Sequence, residues 1–301
     1  MKKISSLISV IIILLGIGVF FYHKDIIKYV FKTYIIKDSF NVYNAYTKGI
    51  DYSIFKRTNN YIPKNKEEFI NVIYTIIDNG IENFSFFCDY DCEKDVVNIG
   101  DDEILNIINN YVHPFNSYKS FNISIDNFGI IRVNIDKNYT NYEKDAINSK
   151  VIEIIKNNIT NDMNDYEKVK VIHDYIVNNT IYDKEESLKI DNNILDNINS
   201  HKAYNVLING IGVCNGYTDA LSIFLNYLNI NNFKVSTNNH IWNTLYINNS
   251  WQHIDITWDD PVTSDGSNIL LHDYFIITTN ELLNKDMENH NFNKSLYKEL
   301  N

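Results

Sequence analysis

The chain has 301 residues, 45% of them hydrophobic and 22% charged, which is enough apolar material for one large or two modest folded domains. A formal net charge of −11 argues against nucleic acid as a partner, because affinity for phosphates rests on Lys and Arg. No repeat, Pro/Gly-rich linker or phosphate-binding glycine loop appears. Asp126–Gly129 and Asp259-Asp260 are too sparse for a calcium loop, so no metal or other cofactor is expected.

Met1-Lys-Lys3 precedes an uncharged run from Ile4 to Tyr22. As a helix that run rises about 28 Å, close to the ~30 Å hydrocarbon core of a bilayer. It ends in Phe20-Phe-Tyr-His-Lys24, bulky residues that do not resemble a signal-peptidase site. The expectation is a retained signal anchor over 1–24, with a cleaved signal peptide as the alternative. Lys2 and Lys3 favour a cytoplasmic N-terminus and hence an extracytoplasmic remainder, although Lys24, Lys28, Lys32 and Lys37 on the other flank oppose that vote.

Residues 25–141 read as a small α/β N-terminal module. Lys66–Asn79 and Asp101–Val112 have helical patterns, and Phe84–Phe87 is a short strand candidate. Ser120–Ile125 and Ile130–Ile135 flank Asp126-Asn-Phe-Gly129 as a hairpin. Nothing in this module has catalytic spacing; a spacer, a substrate-recruiting surface and simple packing stay open. Cys88 and Cys92 are close enough in sequence for a disulfide, which would fit an oxidising compartment; two buried thiols are the competing reading.

The chemistry concentrates between Asn209 and Pro261. Tyr217, Ala220, Leu221, Phe224, Leu225 and Leu228 form the stripe of a buried amphipathic helix, with Gly210, Gly212 and Gly216 clustered at its start. Cys214 therefore sits at the first turn, where unpaired amides and the dipole favour thiolate and can hold an oxyanion. Ile241–Ile247 and Trp251–Thr257 flank Asn248-Asn249 as a second hairpin. That register puts His240 opposite Thr257 and Asp255 on the same face, about 7 Å away diagonally. Cys214 as nucleophile, His240 as base and Asp255 as its orienter make a unit for acyl transfer through a thioester. His253, on Asp255's face, is the rival histidine but reads as structural or site-lining, and His173 as a packed residue.

Gly-Val-Cys-Asn-Gly-Tyr, His-Ile-Trp-Asn and His-Ile-Asp-Ile-Thr-Trp-Asp-Asp-Pro resemble, in order, the three motifs of the bacterial transglutaminase-like superfamily. Lys170–Tyr182 resembles the helix that opens that domain, and Tyr274-Phe-Ile-Ile277 the strand that follows the third motif. The resemblance spans roughly Tyr142 to Leu283 and places Cys214, His240 and Asp255 at the family's catalytic positions. It implies an α+β class: a papain-like core, with the cysteine-bearing helix packed on an antiparallel sheet, as a catalytic domain over 142–301. It also implies a protein or peptide amide as substrate, cell-envelope associated if the anchor reading holds. The family includes cross-linkers, peptidases, amidases and inactive scaffolds. A non-catalytic protein-binding module and a small-molecule amide enzyme are therefore the alternatives to an acyltransferase or hydrolase. Tyr204, Gly212, Trp242 and Trp258 are candidates for substrate contact, Tyr204 through a hydroxyl aimed at the oxyanion.

Overall fold

A computed structural model describes residues 51–127, 129–191, 198–262 and 269–300, with Tyr46 and scattered helical residues between 12 and 30. Most of the expected anchor lies outside the described residues; among them no helix is long and apolar enough to cross a membrane.

The N-terminal part opens with α1, Lys66–Asp78, started by the Asn65 side chain accepting the Glu68 N–H. Next come β1 (Asn83–Phe86) and three short helices: α2 (Glu93–Val97), α3 (Glu103–Asn106) and α4 (Ile108–Tyr111). The single helix expected over Asp101–Val112 is thus broken. Asp102 accepts the N–H groups of both Ile104 and Leu105 and so starts a helix afresh, and Ile107 leaves helical geometry at φ −99, ψ 7. β2 (Tyr118–Ile125) and β3 (Ile131–Lys137) form the expected hairpin, with β1 on the other edge of β3 in an all-antiparallel sheet. Cys88 and Cys92 are joined by a disulfide beside this sheet.

Two capped helices follow: α5, Asn141–Asn158, and α6, Asp165–Asn179. Each is opened by a reciprocal capping box, Thr140 with Glu143 and Asn164 with Glu167. Beyond β4 (Ile181–Tyr182), α7 (Lys184–Asp191) and a π-helical turn at Asn205–Asn209, the strand β5 (Ile211–Gly212) pairs in parallel with β4. It delivers the chain to α8, Cys214–Tyr227. Strands β6 (Asn232–Ser236), β7 (Ile241–Ile247) and β8 (Ser250–Ile254) make an antiparallel sheet. Asn248 and Asn249 both take positive φ, 53 and 63, the conformation a two-residue hairpin requires. The chain then reaches α9 (Thr279–Lys285) and α10 (Met287–His290).

Side chains alternate across β6–β8, and each face has its own partner. Leu245, Ile247 and Ile254 join the core built by α5, α6 and α8. Phe233, Val235 and Trp242 instead join the core of α1, β1, β3 and α4, together with Leu282, Phe292, Tyr297 and Leu300 from the C-terminal segment. The N-terminal elements are therefore packed directly on the back of the sheet that carries His240.

Two strand expectations are corrected. β8 ends at Ile254 because the Asp255 N–H turns to Tyr274 O, and Asp255 then accepts the Asp259 N–H as the chain coils into a turn. Tyr274–Ile277 contributes a single antiparallel bridge, Ile277 to His253, since Ile276 sits at φ +53 and breaks any longer ladder.

Candidate active site

One turn into α8, Thr218 ties the helix to the start of β7. Thr218 donates its hydroxyl to Ile241 O at 3.1 Å, and Asn243 Nδ2 donates to Thr218 O at 3.0 Å. A buried ion pair also holds the helix: Lys234 Nζ lies 2.8 Å from Asp219 Oδ1, and Asp219 Oδ2 accepts the Tyr139 hydroxyl at 2.7 Å. Gly216 and Gly212 let the preceding turn close on it. A Cβ at Gly216 would stand 2.8 Å from Ser200 O, and one at Gly212 would stand 2.4 Å from Val206 Cγ2. No side chain caps α8, so its first amides, beside the half-buried Cys214, have no side-chain acceptor.

His240, at the entrance to β7, places Nε2 2.5 Å from Asp255 Oδ2. His240 and Cys214 line the same cleft, and the Cys214 side chain adds to the electrostatics of the imidazole. Nε2 is thus engaged by the carboxylate and Nδ1 is left for sulfur, a proton placement assigned from the hydrogen-bond geometry. Burial disfavours the charged imidazolium, but the Asp255 charge and hydrogen bond, helped by Cys214, outweigh it and raise His240 to about 10. Burial equally opposes the Asp255 carboxylate; His240, then His290, overcome that and hold it down at about 2. Trp242 stacks on His240, with centroids 5.6 Å apart at 20°, and fixes the ring plane.

Two clefts meet at His240. One, of about 290 Å³, is lined by Cys214, His240, Asn215, Asn110, Ser236 and Tyr182. The other, of about 410 Å³, is lined by His240, Trp258, Thr257, Val262, Asn289 and Tyr182. They share Tyr182, Asn239 and His240, so the space runs past both sides of the Cys214–His240 pair.

The four expected substrate contacts divide. Trp258 is exposed on the cleft wall, its ring 6.2 Å from His240. Trp242 is 1% exposed and donates Nε1–H to His253 Nδ1, so it supports the site from behind. Gly212 is buried in close packing against Val206. Tyr204 pairs with the exposed Tyr142 and is not among the residues lining the Cys214 cleft. His253 is fully buried between Trp242 and Thr279, and burial lowers it to about 3, consistent with a structural role.

Three residues at the site, His290, Asn110 and Asn289, carried no sequence signal. His290 reaches Asp255 from 35 positions downstream, Nε2 to Oδ2 at 3.0 Å. Asn110, from the N-terminal part, and Asn289 line the clefts. The two aspartates of the third motif hold its turn: Asp259 accepts the Tyr274 N–H and meets His173 Nε2 at 3.1 Å, while Asp260 accepts the Tyr217 hydroxyl at 2.6 Å. His173, Asp174 and His272 bring three metal-donor atoms within 4.8 Å of one another, outside the clefts. There the Lys170 ammonium already bridges Asp174 Oδ2, at 2.6 Å, and His272 Nε2, at 3.0 Å.

Residues 153–256 fit the transglutaminase-like superfamily. The mixed α/β chain thus has a transglutaminase-like core, which holds Cys214, His240 and Asp255, while His290 lies beyond its end. Among solved structures, one described as a TGase aligns at 18% identity with a TM-score of 0.36, covering 50% of this chain and 48% of that one. A "Putative Cysteine Protease from Cytophaga hutchinsonii" aligns at 15% identity with a TM-score of 0.29, covering 50% of this chain and 65% of that one. In both cases less than two thirds of the other protein is spanned. No curated protein matches the chain.

Proposed function

We propose that the protein is a cysteine acyltransferase or hydrolase that cleaves protein or peptide amides through a thioester on Cys214. The observation that carries this is the His240–Asp255 contact at 2.5 Å, beside a thiol at an uncapped helix start. In the proposed reaction His240 takes the thiol proton and the thiolate adds to the amide carbonyl. Amides at the start of α8 hold the oxyanion. His240 then gives its proton to the departing amine, leaving a thioester that an amine or water resolves, the first being cross-linking and the second hydrolysis. Clefts on both sides of His240 suit a chain that extends beyond the reacting amide, and the exposed Trp258 offers an apolar wall for it. A retained N-terminal anchor would set this domain outside the cytoplasm against envelope proteins or peptides, where the Cys88–Cys92 disulfide would persist.

The test is iodoacetamide labelling of Cys214 across pH 5 to 9, followed by peptide and amine substrate screens. Rapid labelling at pH 6 that His240→Ala abolishes, with activity absent from Cys214→Ala, supports the mechanism. Labelling that rises only near pH ~8.5, as for an ordinary thiol, or unchanged turnover in Cys214→Ala, refutes it.

A further inference from the structure

Asp255 is served by two imidazoles, and only one of them faces the cysteine. His240 Nε2 lies 2.5 Å and His290 Nε2 lies 3.0 Å from the same oxygen, Oδ2; the other oxygen, Oδ1, accepts the Trp258 N–H at 3.3 Å. A carboxylate oxygen has two lone-pair directions, so one donor can occupy each. Three donors, from the entrance to β7, the end of α10 and the turn after β8, then leave the carboxylate no freedom to rotate.

His290 is itself immobilised. It is fully buried, and its Nδ1 lies 3.2 Å from Asp286 O. Trp242 stands at 4.8 Å and 70° to its ring, and Tyr274 stacks on it at 5.4 Å and 20°. It meets His240 edge-on at 5.3 Å and 89°. An imidazole walled in this way cannot follow Asp255 if the carboxylate turns; the carboxylate must conform to it.

We propose that His290 is a positioning residue for the Cys214–His240–Asp255 unit, extending it to a fourth member supplied by the C-terminal segment. The proposal rests on reading Cys214 as the nucleophile. By occupying the second lone pair of Oδ2, the His290 N–H fixes where that oxygen stands. The fixed oxygen holds His240 in the tautomer and ring orientation that direct Nδ1 at sulfur. Residues 153–256, the part matched by the superfamily, would then hold the reacting groups but not the imidazole that fixes their carboxylate. The segment from Asp286 onward, tied back by the Tyr297 and Leu300 side chains in the core, would be part of the catalytic architecture.

The experiment compares the full-length protein with His290→Gln, which keeps an N–H donor near the Nε2 position, and His290→Met, which fills the space without one. Cys214 alkylation by iodoacetamide is followed by mass spectrometry from pH 5 to 9, with urea unfolding of each variant alongside. His290→Met should label at least about tenfold more slowly at pH 6, the worth of one hydrogen bond to a charged group, with its profile moved toward higher pH. His290→Gln should recover most of the rate and the original profile. A merely structural histidine would lower the unfolding midpoint of both variants and leave the pH profile in place; that result overturns the proposal. Equal loss in Gln and Met overturns the N–H donor role. Should wild-type protein itself label only as an ordinary thiol, the nucleophile reading fails, and this inference with it.

Discussion

Replacing Asp255 with Asn tests the electrostatic centre of the site. The change keeps the size of the side chain and an acceptor for the Trp258 N–H but removes the charge opposite His240. Burial alone pulls the His240 imidazolium below its ordinary 6.5, yet the Asp255 charge and hydrogen bond, followed by the Cys214 side chain, raise it to about 10. The difference, at ~1.36 kcal/mol per unit, favours the charged ring by roughly 5 kcal/mol. Most of that is Asp255's share and a smaller part belongs to Cys214. In Asp255→Asn the burial stays and the charge goes, so His240 should titrate at or below about 6.5. Histidine ring resonances followed by NMR from pH 4 to 10 read this directly. Stability gives a second readout. A base raised on folding adds stability that is complete below 6.5 and lost as pH rises through about 10. Asp255, held at about 2 against an ordinary 3.8, adds stability above 3.8 that is lost as pH falls through 2. The wild-type advantage in urea should therefore be full between those limits, at pH 5.5, and smaller at pH 9. A His240 midpoint still above 8 in Asp255→Asn would refute this account of the pair.

Three further outcomes follow from the packing. Gly216→Ala puts a Cβ 2.8 Å from Ser200 O and 3.1 Å from Lys202 O, backbone atoms with little room to move. It should cost about 1–3 kcal/mol in urea unfolding and slow Cys214 labelling as the start of α8 shifts; an unaffected midpoint would contradict the close packing. Replacing Cys88 and Cys92 by Ser opens a loop of sequence separation 4, which chain entropy values at ~2 kcal/mol. Labelling of Cys214 should not change, and a change would show that the disulfide reaches the site. Burial, then nearby positive charge, lowers His113 and His253 to about 3, so the unfolded chain takes up their protons first. Stability should be full above 6.5 and fall toward pH 3, by at most ~2.7 kcal/mol per pH unit for the two together. A flat stability between pH 7 and 4.5 would contradict their burial in neutral form.

Local patterns made much of the fold legible. The apolar stripe after Cys214 and the Asn248-Asn249 turn are rules of short range, and the hairpin register follows from the turn, as the pairing of Ile247 with Ser250 shows. Extended past the ends of both strands, that register predicts His240 and Asp255 on one face, and the structure brings them together although both lie just outside the ladder. Where the expectation failed, a backbone N–H had found a partner outside the expected element, a side chain in one case and a distant carbonyl in the other. Asp102 restarted a helix inside the Asp101–Val112 pattern, and the Asp255 N–H left its strand for Tyr274. Trp242 and Gly212 sit in motifs that suggest substrate contact, yet motif membership does not tell the cleft wall from the packing behind it. His290 had no periodicity or spacing to mark it; only the folded chain brings it to Asp255.

The arrangement of the two cores explains why the site extends past its motifs. The sheet bearing His240 has α8 and the thiol on one side, while its other side is covered by the N-terminal helices and the C-terminal segment together. Trp242 joins the two cores' contributions to the site. It stacks on His240, donates to His253, touches His290 and lies in the N-terminal core with Phe69 and Ile73. The ring that fixes the plane of His240 is therefore held by residues from both ends of the chain. Asn110 reinforces the link: its amide donates to Ser236 Oγ and to the Tyr297 hydroxyl while lining the cleft beside Cys214. Asn110 and Tyr297 stand outside the motifs that carry Cys214, His240 and Asp255, and the alignment of those three groups is a property of the shared packing.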